Sequence, residues 1–231
     1  MDRPATEDGT AIALHHDFWH ERWRTGQIGF HQPSTHPFLE RWWPSLGVPE
    51  GSPVYVPLCG KTLDMAWLAD RGHTVAGSEL SRIAIEEFFA SQGLAASSIA
   101  EDGFVCHAGG AYRIFEGDAL ALTPRVTGPL AGFYDRAALV ALPPELRGPY
   151  VETLAALMPR GARGLLISFE YPQEMKGGPP FSVDGEEIRA HCAGRFSVQE
   201  LERLDVLAQN PRFAEFGLPA LHEIAYALER A

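Results

Sequence analysis

Cysteine is scarce in the sequence: Cys59, Cys106 and Cys192 are its only three, and no two of them form a C-x-x-C pair. That excludes a disulfide framework and a zinc-finger spacing, and it suits a reducing compartment. No run approaches ~18 apolar residues, so no membrane-spanning helix is expected. The opening stretch, MDRPATEDGTAIALHHDF, lacks an apolar core of signal-peptide length, and a cytoplasmic location is the expectation. Positive charge is also short, with 19 Lys plus Arg against 30 Asp plus Glu and a net charge of −11. Binding a duplex requires an excess of cations to neutralise phosphates, so nucleic acid is not an expected partner. A local basic pocket for a small anion remains compatible with that balance. No internal repeat and no low-complexity tract is present.

What is there is ordinary globular material: 45% apolar and 21% charged residues in 231 positions, enough for one domain with a sizeable core. The first dozen residues lack periodicity and read as a disordered arm, assigned to 1–16, before a single domain over 17–231. From Asp17, a candidate N-cap, Phe18, Trp19 and Trp23 recur at helical spacing as far as Arg24, with Gly26 as a stop. A second helical stretch, PFLERWWPSL, follows, so 17–50 reads as a helical cap rich in aromatics. PVYVPLC, starting at Pro53, has the length and Val content of a buried strand. TLDMAWLADRG reads as a helix closed by Gly72, HTVAGSEL as a strand, and SRIAIEEFFASQG as a helix capped by Ser81. YRIFEGDALAL (strand and turn), PLAGFYDRAALVAL (strand into helix), a helix over PPELRGPYVETLAALMPRG and the strand ARGLLISFEY continue the alternation. The result is an α/β fold with a doubly wound, largely parallel sheet. In the tail, the alternation of His222, Ile224, Tyr226 and Leu228 favours a final strand. EYPQEMKGGPPFSV, residues 170–183, breaks the rhythm with two glycines and three prolines and reads as a lid or binding loop.

Open α/β sheets bind ligands at the carboxyl ends of their strands. Those positions carry Leu58-Cys59-Gly60-Lys61, Glu79, Asp118 and Asp135-Arg136. Glu79 lies 19 residues after Gly60, where an acid can accept hydrogen bonds from both hydroxyls of a ribose. A dinucleotide site would need G-x-G-x-x-G in the first turn, which is missing. A phosphate loop ending in Gly60-Lys61-Thr62 would need glycine where Tyr55 stands, and Pro57 removes a backbone N–H from the cradle. A ligand with a ribose but no phosphate chain fits better, and S-adenosylmethionine is one.

FWHERWRTGQIGFHQ, VPLCGKTLDMAWLADRGHTVAGSELS, FYDRAALVAL and GPPFSV together resemble the thiopurine S-methyltransferase family, with a match from about Phe18 to the end of the sequence. The block PLCGK-x2-[DE]-M-x-W-x-A-[DE]-x-G-H is its most specific part. The resemblance implies a class I methyltransferase fold, Rossmann-like, with an antiparallel last strand and a helical N-terminal cap. It implies S-adenosylmethionine as cofactor and S-adenosylhomocysteine as product. Trp23, Trp19, Leu58, Glu79 (on the ribose), Arg136, Asp118 and Ala119 fall at cofactor-binding positions, and Phe30 and Arg212 at substrate-binding ones. Ala137 departs from the glycine of many members, which should alter packing more than chemistry.

The implied reaction is methyl transfer to the sulfur of a small aromatic or heterocyclic thiol, driven by alignment in a dry pocket, with no catalytic acid or base and no metal. In that reading Arg136 and Arg212 hold an anionic substrate. Plainer roles exist for several residues. Trp19 and Trp23 form one apolar helix face, and Arg136 could pair with Asp135 or Asp118. His16 and His20 read as surface histidines, Cys59 as a small buried residue, and Met65 and Trp67 as core. Lys61 reads as solvated beside the carboxylate end of the cofactor. Competing functions are methylation of other soft nucleophiles (selenium or tellurium oxyanions, halide) and a non-catalytic cofactor-binding relative. The partner expected is a small molecule, with no nucleic acid and no membrane, and the chain is expected to be a monomer.

Overall fold

The computed structural model describes residues 7–231, with side chains from His15 onward. A nine-stranded sheet carries the chain, built from β1 (Pro53–Val56), β2 (Thr74–Glu79), β3 (Ser97–Glu101), β4 (Phe104–Gly109), β5 (Tyr112–Glu116), β6 (Gly132–Arg136), β7 (Arg163–Glu170), β8 (Phe196–Asp205) and β9 (His222–Arg230). Their order is β3-β4-β5-β2-β1-β6-β7-β9-β8. The five central strands, β5 to β7, are parallel. The antiparallel last strand expected from the resemblance is β9, which pairs with β7 over Arg163–Glu170, and β8 pairs antiparallel outside it.

The helices are α1 (Glu7–Arg24), α2 (Pro37–Trp42), α3 (Asp64–Ala69), α4 (Arg82–Ser91), α5 (Pro124–Thr127), α6 (Pro144–Leu157), α7 (Gly185–Cys192) and α8 (Pro211–Ala214). α2, α3 and α4 cover one face of the sheet, and α6 and α7 the other. Because successive strand side chains point to opposite faces, Val54 and Val56 join the first core while Tyr55, between them, joins the second. With both faces covered, an uninterrupted apolar run is what such a strand needs.

Chain order runs outward from β1 through β2 to β5 and then returns to β6 on the other side of β1. The sheet's switch point therefore lies between β1 and β6, and the turn after β1 and Arg136 flank it.

Three expectations need correction. α1 begins at Glu7, so Asp17 lies inside the helix rather than capping it, and a disordered arm over 1–16 does not describe residues 7–16. Ala11, Ala13 and Leu14 are strong helix formers, a signal that a search for amphipathic spacing passes over. Residues 1–6 of the expected arm lie outside the described residues. The cap expected over 17–50 also divides. Residues 18–32 border the cavity at the strand ends, whereas Phe38, Leu39 and Trp43 are core against the sheet. Finally, β6 runs into a short 3-10 turn, Leu139–Ala141, rather than a helix.

Candidate functional site

Hydrogen bonds fix β1 and the turn leaving it to the end of β2. Tyr55 Oη and Ser78 Oγ lie 2.8 Å apart, Leu58 N donates to Ser78 Oγ at 3.4 Å, and Cys59 N donates to the Ser78 carbonyl at 2.9 Å. Leu58 takes a left-handed conformation with φ of 46°, which costs a non-glycine residue roughly 1–2 kcal/mol. Gly60, with φ of 51°, also has to be small: a Cβ there would meet the Trp23 ring at 3.1 Å. Strain of this kind, held by a surrounding network, is typical of ligand sites.

Glu79 ends β2 and is 7% exposed. One carboxylate oxygen accepts from Gly60 N at 2.8 Å, and the other from Ser81 N at 2.8 Å. Burial pushes its pKa up, while backbone donation from Ser81, Gly60 and Leu80 draws it back. An ionised carboxylate offers about four acceptor positions, so the two main-chain bonds orient Glu79 and leave it able to accept from two hydroxyls. Ser81 occupies the N-cap position of α4 but makes no side-chain capping bond; its backbone N–H serves Glu79.

Asp118 follows β5 and caps a 3-10 turn, accepting from Leu120 N at 2.9 Å; its second oxygen is 3.6 Å from His16 Nε2. Leu58, Glu79, Asp118 and Ala119 border one crevice of about 20 Å³, roofed by His15 and His16. That is room for a water.

Beside it opens a cavity of about 550 Å³ that Trp19, Trp23, Phe30, Leu58, Glu79, Arg136 and Arg212 all border. Phe30 stands edge-on between the two tryptophans, with ring centroids at 5.4 Å from Trp19 and 5.6 Å from Trp23. Trp19 Nε1 donates to His15 Nε2 at 3.1 Å, so its polar end is satisfied. Arg136 donates to the Phe30 carbonyl at 3.2 Å and ties this roof to β6. The expected candidates therefore gather in two adjoining spaces at the strand ends.

Asp135, weighed above as a partner for Arg136, has another role. It is fully buried and accepts from Ala138 N, Leu139 N and, at 2.6 Å, Tyr150 Oη. Burial pushes its pKa up to about 6. Ala137 packs against the core and has φ of 69°, so relative to glycine it also carries backbone strain. Lys61 forms an exposed ion pair with Glu87 of α4 at 2.8 Å. His16 is half-buried against Asp118 rather than a surface side chain.

The far wall carries side chains that motif reading did not single out. Lys176, from the loop after β7, and Phe213 and Phe216, around α8, border the cavity. The lone lysine within the glycine- and proline-rich stretch 170–183 was the available signal.

The geometry fits a nucleoside bearing a thioether or sulfonium tail. Glu79 suits two vicinal hydroxyls, the Gly60 turn allows close backbone approach, and the cavity continues toward an aromatic pocket. Among the described residues no helix is long and apolar enough to cross a membrane.

Comparison with known proteins agrees with this. The sequence model of the family "Thiopurine S-methyltransferase (TPMT)" matches residues 14–231. The thiopurine S-methyltransferase of Xanthomonas campestris pv. campestris (strain 8004) is 49% identical over 215 residues, covering 93% of this chain and 98% of its own. That of Shewanella sp. (strain W3-18-1) is 45% identical over 213 residues, covering 92% and 98%. Among solved structures, Burkholderia thailandensis 1,6-didemethyltoxoflavin-N1-methyltransferase, with bound 1,6-didemethyltoxoflavin and S-adenosylhomocysteine, superposes with a TM-score of 0.64 at 18% identity, covering 100% of this chain and 93% of that one. Synechocystis magnesium protoporphyrin IX methyltransferase with bound S-adenosylmethionine gives 0.56 at 16%, covering 100% and 87%. At such identities the structural matches speak for the class I methyltransferase fold alone. The sequence matches decide the rest: the chain belongs to the thiopurine S-methyltransferase family of S-adenosylmethionine-dependent methyltransferases.

Proposed function

We propose that the protein methylates the sulfur of small aromatic or heterocyclic thiols. The observation that carries this reading is the aromatic-walled cavity of about 550 Å³, with a carboxylate suited to a ribose at its floor and cationic side chains beyond. Such a volume with Trp19, Trp23 and Phe30 along one side suits a flat ring better than an acceptor of a few atoms, such as iodide or tellurite.

S-Adenosylmethionine, when bound, supplies an electrophilic methyl group on a sulfonium. Glu79 would hold the ribose hydroxyls, Leu58 and the Gly60 turn would lie along the nucleoside, and Asp118 with Ala119 would flank its base. A base seated beside Asp118 would need His15 and His16 to give way, because their crevice has room for water only. Trp19, Trp23 and Phe30 exclude water from the reacting atoms, and Arg136 holds Phe30 by its carbonyl. With the cofactor bound, the acceptor sulfur would take the methyl carbon, and the sulfonium would leave as the neutral thioether of S-adenosylhomocysteine. A thiolate and a sulfonium neutralise each other along this path, so a dry pocket favours the transition state. Aromatic thiols ionise readily near neutral pH, and alignment supplies what a general base would otherwise contribute. Arg212, which borders the cavity, would attract the anionic acceptor.

The test is product analysis with S-adenosylmethionine and, in parallel, thiophenol, 6-mercaptopurine, iodide, selenite and tellurite. S-methyl products from the aromatic thiols at the highest kcat/KM support the reading. Turnover confined to iodide or the oxyanions, or binding of S-adenosylhomocysteine with no acceptor methylated, would overturn it.

A further inference from the structure

The charge of the larger cavity inverts that of the chain. The chain carries −11, yet the charged side chains bordering the cavity are Arg22, Arg136, Lys176 and Arg212 against a single acid, Glu79. Glu79 is already oriented by Gly60 and Ser81 at the floor. Arg136 is engaged with the Phe30 carbonyl, and Arg22 with Gln27 at 2.8 Å. Lys176 and Arg212 remain, and neither of them forms a salt bridge among the described residues.

Lys176 is the more constrained of the two. Its Nζ lies 4.8 Å from the centre of the Phe213 ring, 5.6 Å from Tyr171 and 5.8 Å from Phe216. It donates to the Gly177 carbonyl at 2.8 Å, which uses one of three N–H groups. The loop beneath is braced. Gln173 Nε2 donates to the Lys176 carbonyl at 2.6 Å, Ser182 N donates to Gln173 Oε1 at 2.7 Å, and Tyr171 Oη donates to the Pro180 carbonyl at 2.6 Å. Burial draws the lysine's pKa below its ordinary value, with no carboxylate among the described residues acting to restore it. An ammonium held among rings, already stripped of part of its water, gains most from a desolvated anion. Arg212 lies over Gly29, where any Cβ would collide with the guanidinium, and both cations border the same cavity.

We propose that Lys176 is a specificity-determining residue that binds a carboxylate on the acceptor, and that the preferred acceptors are aromatic thiols bearing a carboxylate on the ring edge remote from the sulfur. Three ring faces leave the ammonium open to an anion arriving through the cavity, while the sulfur points back toward the floor. This rests on the thiol reading of the preceding section, and the test separates the two.

The test compares 4-mercaptobenzoate with 4-mercaptobenzamide as acceptors, and their S-methyl products as ligands for the complex with S-adenosylhomocysteine. In wild type the acid should exceed the amide at least tenfold, both in kcat/KM and in calorimetric affinity. Lys176→Met should bring both ratios close to one, and Lys176→Arg should restore most of the preference. Equal treatment of acid and amide by the wild-type protein, a measurement that needs no variant, would overturn the proposal. So would an unchanged ratio in folded Lys176→Met. If no thiol is turned over but the product acid still binds better than the amide and loses this in Lys176→Met, the thiol reading falls and the carboxylate site stands.

Discussion

The floor of the cavity and its roof are held together by different forces. The floor is main chain and buried carboxylate: Glu79 bonded to Gly60 and Ser81, Ser78 to the turn after β1, and Asp135 to Ala138, Leu139 and Tyr150. The roof is aromatic contact, with Phe30 between Trp19 and Trp23 and one bond from Arg136. It is anchored where it meets the core. His36 Nδ1 accepts from Phe38 N at 3.2 Å, which leaves the proton on Nε2 to donate to Glu223 at 3.0 Å. Asp64 accepts from His36 N and from Tyr134 Oη. Hydrogen bonds to buried groups leave a large penalty when one partner is removed, whereas edge-to-face rings repack. Floor substitutions should therefore damage affinity and stability together, and roof substitutions should act mainly on turnover.

The largest effect is expected at Glu79. Glu79→Ala leaves two buried N–H groups unpaired and, on the proposed role of this carboxylate, would also remove two charge-assisted bonds to the ribose, each worth about 1.5–3 kcal/mol. Calorimetry should show S-adenosylhomocysteine binding at least a hundredfold weaker, with a lowered Tm. An unchanged Tm would mean that the main-chain bonds to Glu79 do not brace the floor.

Asp135 gives the next largest effect, and it appears as a pH dependence. Its folded pKa of about 6 lies above the value of 3.8 for the free side chain. Below pH ~4 the group is protonated in both states; as pH rises through ~6 the folded state bears the cost of a buried charge. Stability from this group is thus lost between those limits, on the order of 3 kcal/mol from the two-unit difference. Asp135→Asn should abolish that part of the slope in urea unfolding measured across pH 4–7. An identical slope in the variant would place the titration elsewhere.

At the roof, Trp19→Ala should lower kcat/KM about tenfold through poorer water exclusion, with Tm shifted by no more than about 2 °C. A fall in Tm as large as that of Glu79→Ala would erase the distinction between the two regions. The smallest effect is at Ala137, whose left-handed backbone a glycine adopts without strain. Ala137→Gly should raise stability by up to about 1 kcal/mol, visible as a small increase in Tm.

The same contrast governs how much could be read from the sequence. Floor residues sit at strand ends, and β1, β2 and β6 announce themselves by short apolar runs, so Glu79 and Arg136 were legible from position alone. Asp135 was visible as a strand-end acid, but its partner Tyr150 lies fifteen residues on, in α6, and only the fold brings them together. The β3–β4 hairpin left little trace, because β3 is an edge strand whose SSIAE segment is largely exposed and lacks alternation. Lys176 sits in a loop without periodicity, where composition signals a binding segment but not which side chain faces inward.

The central claim is that Glu79 keeps two acceptor positions for vicinal ribose hydroxyls. The most direct test is the affinity of the wild-type protein for S-adenosylhomocysteine against its 2′,3′-dideoxy analogue, measured by calorimetry under one set of conditions. A loss of fiftyfold or more for the analogue is the predicted result, and equal affinities would contradict the claim.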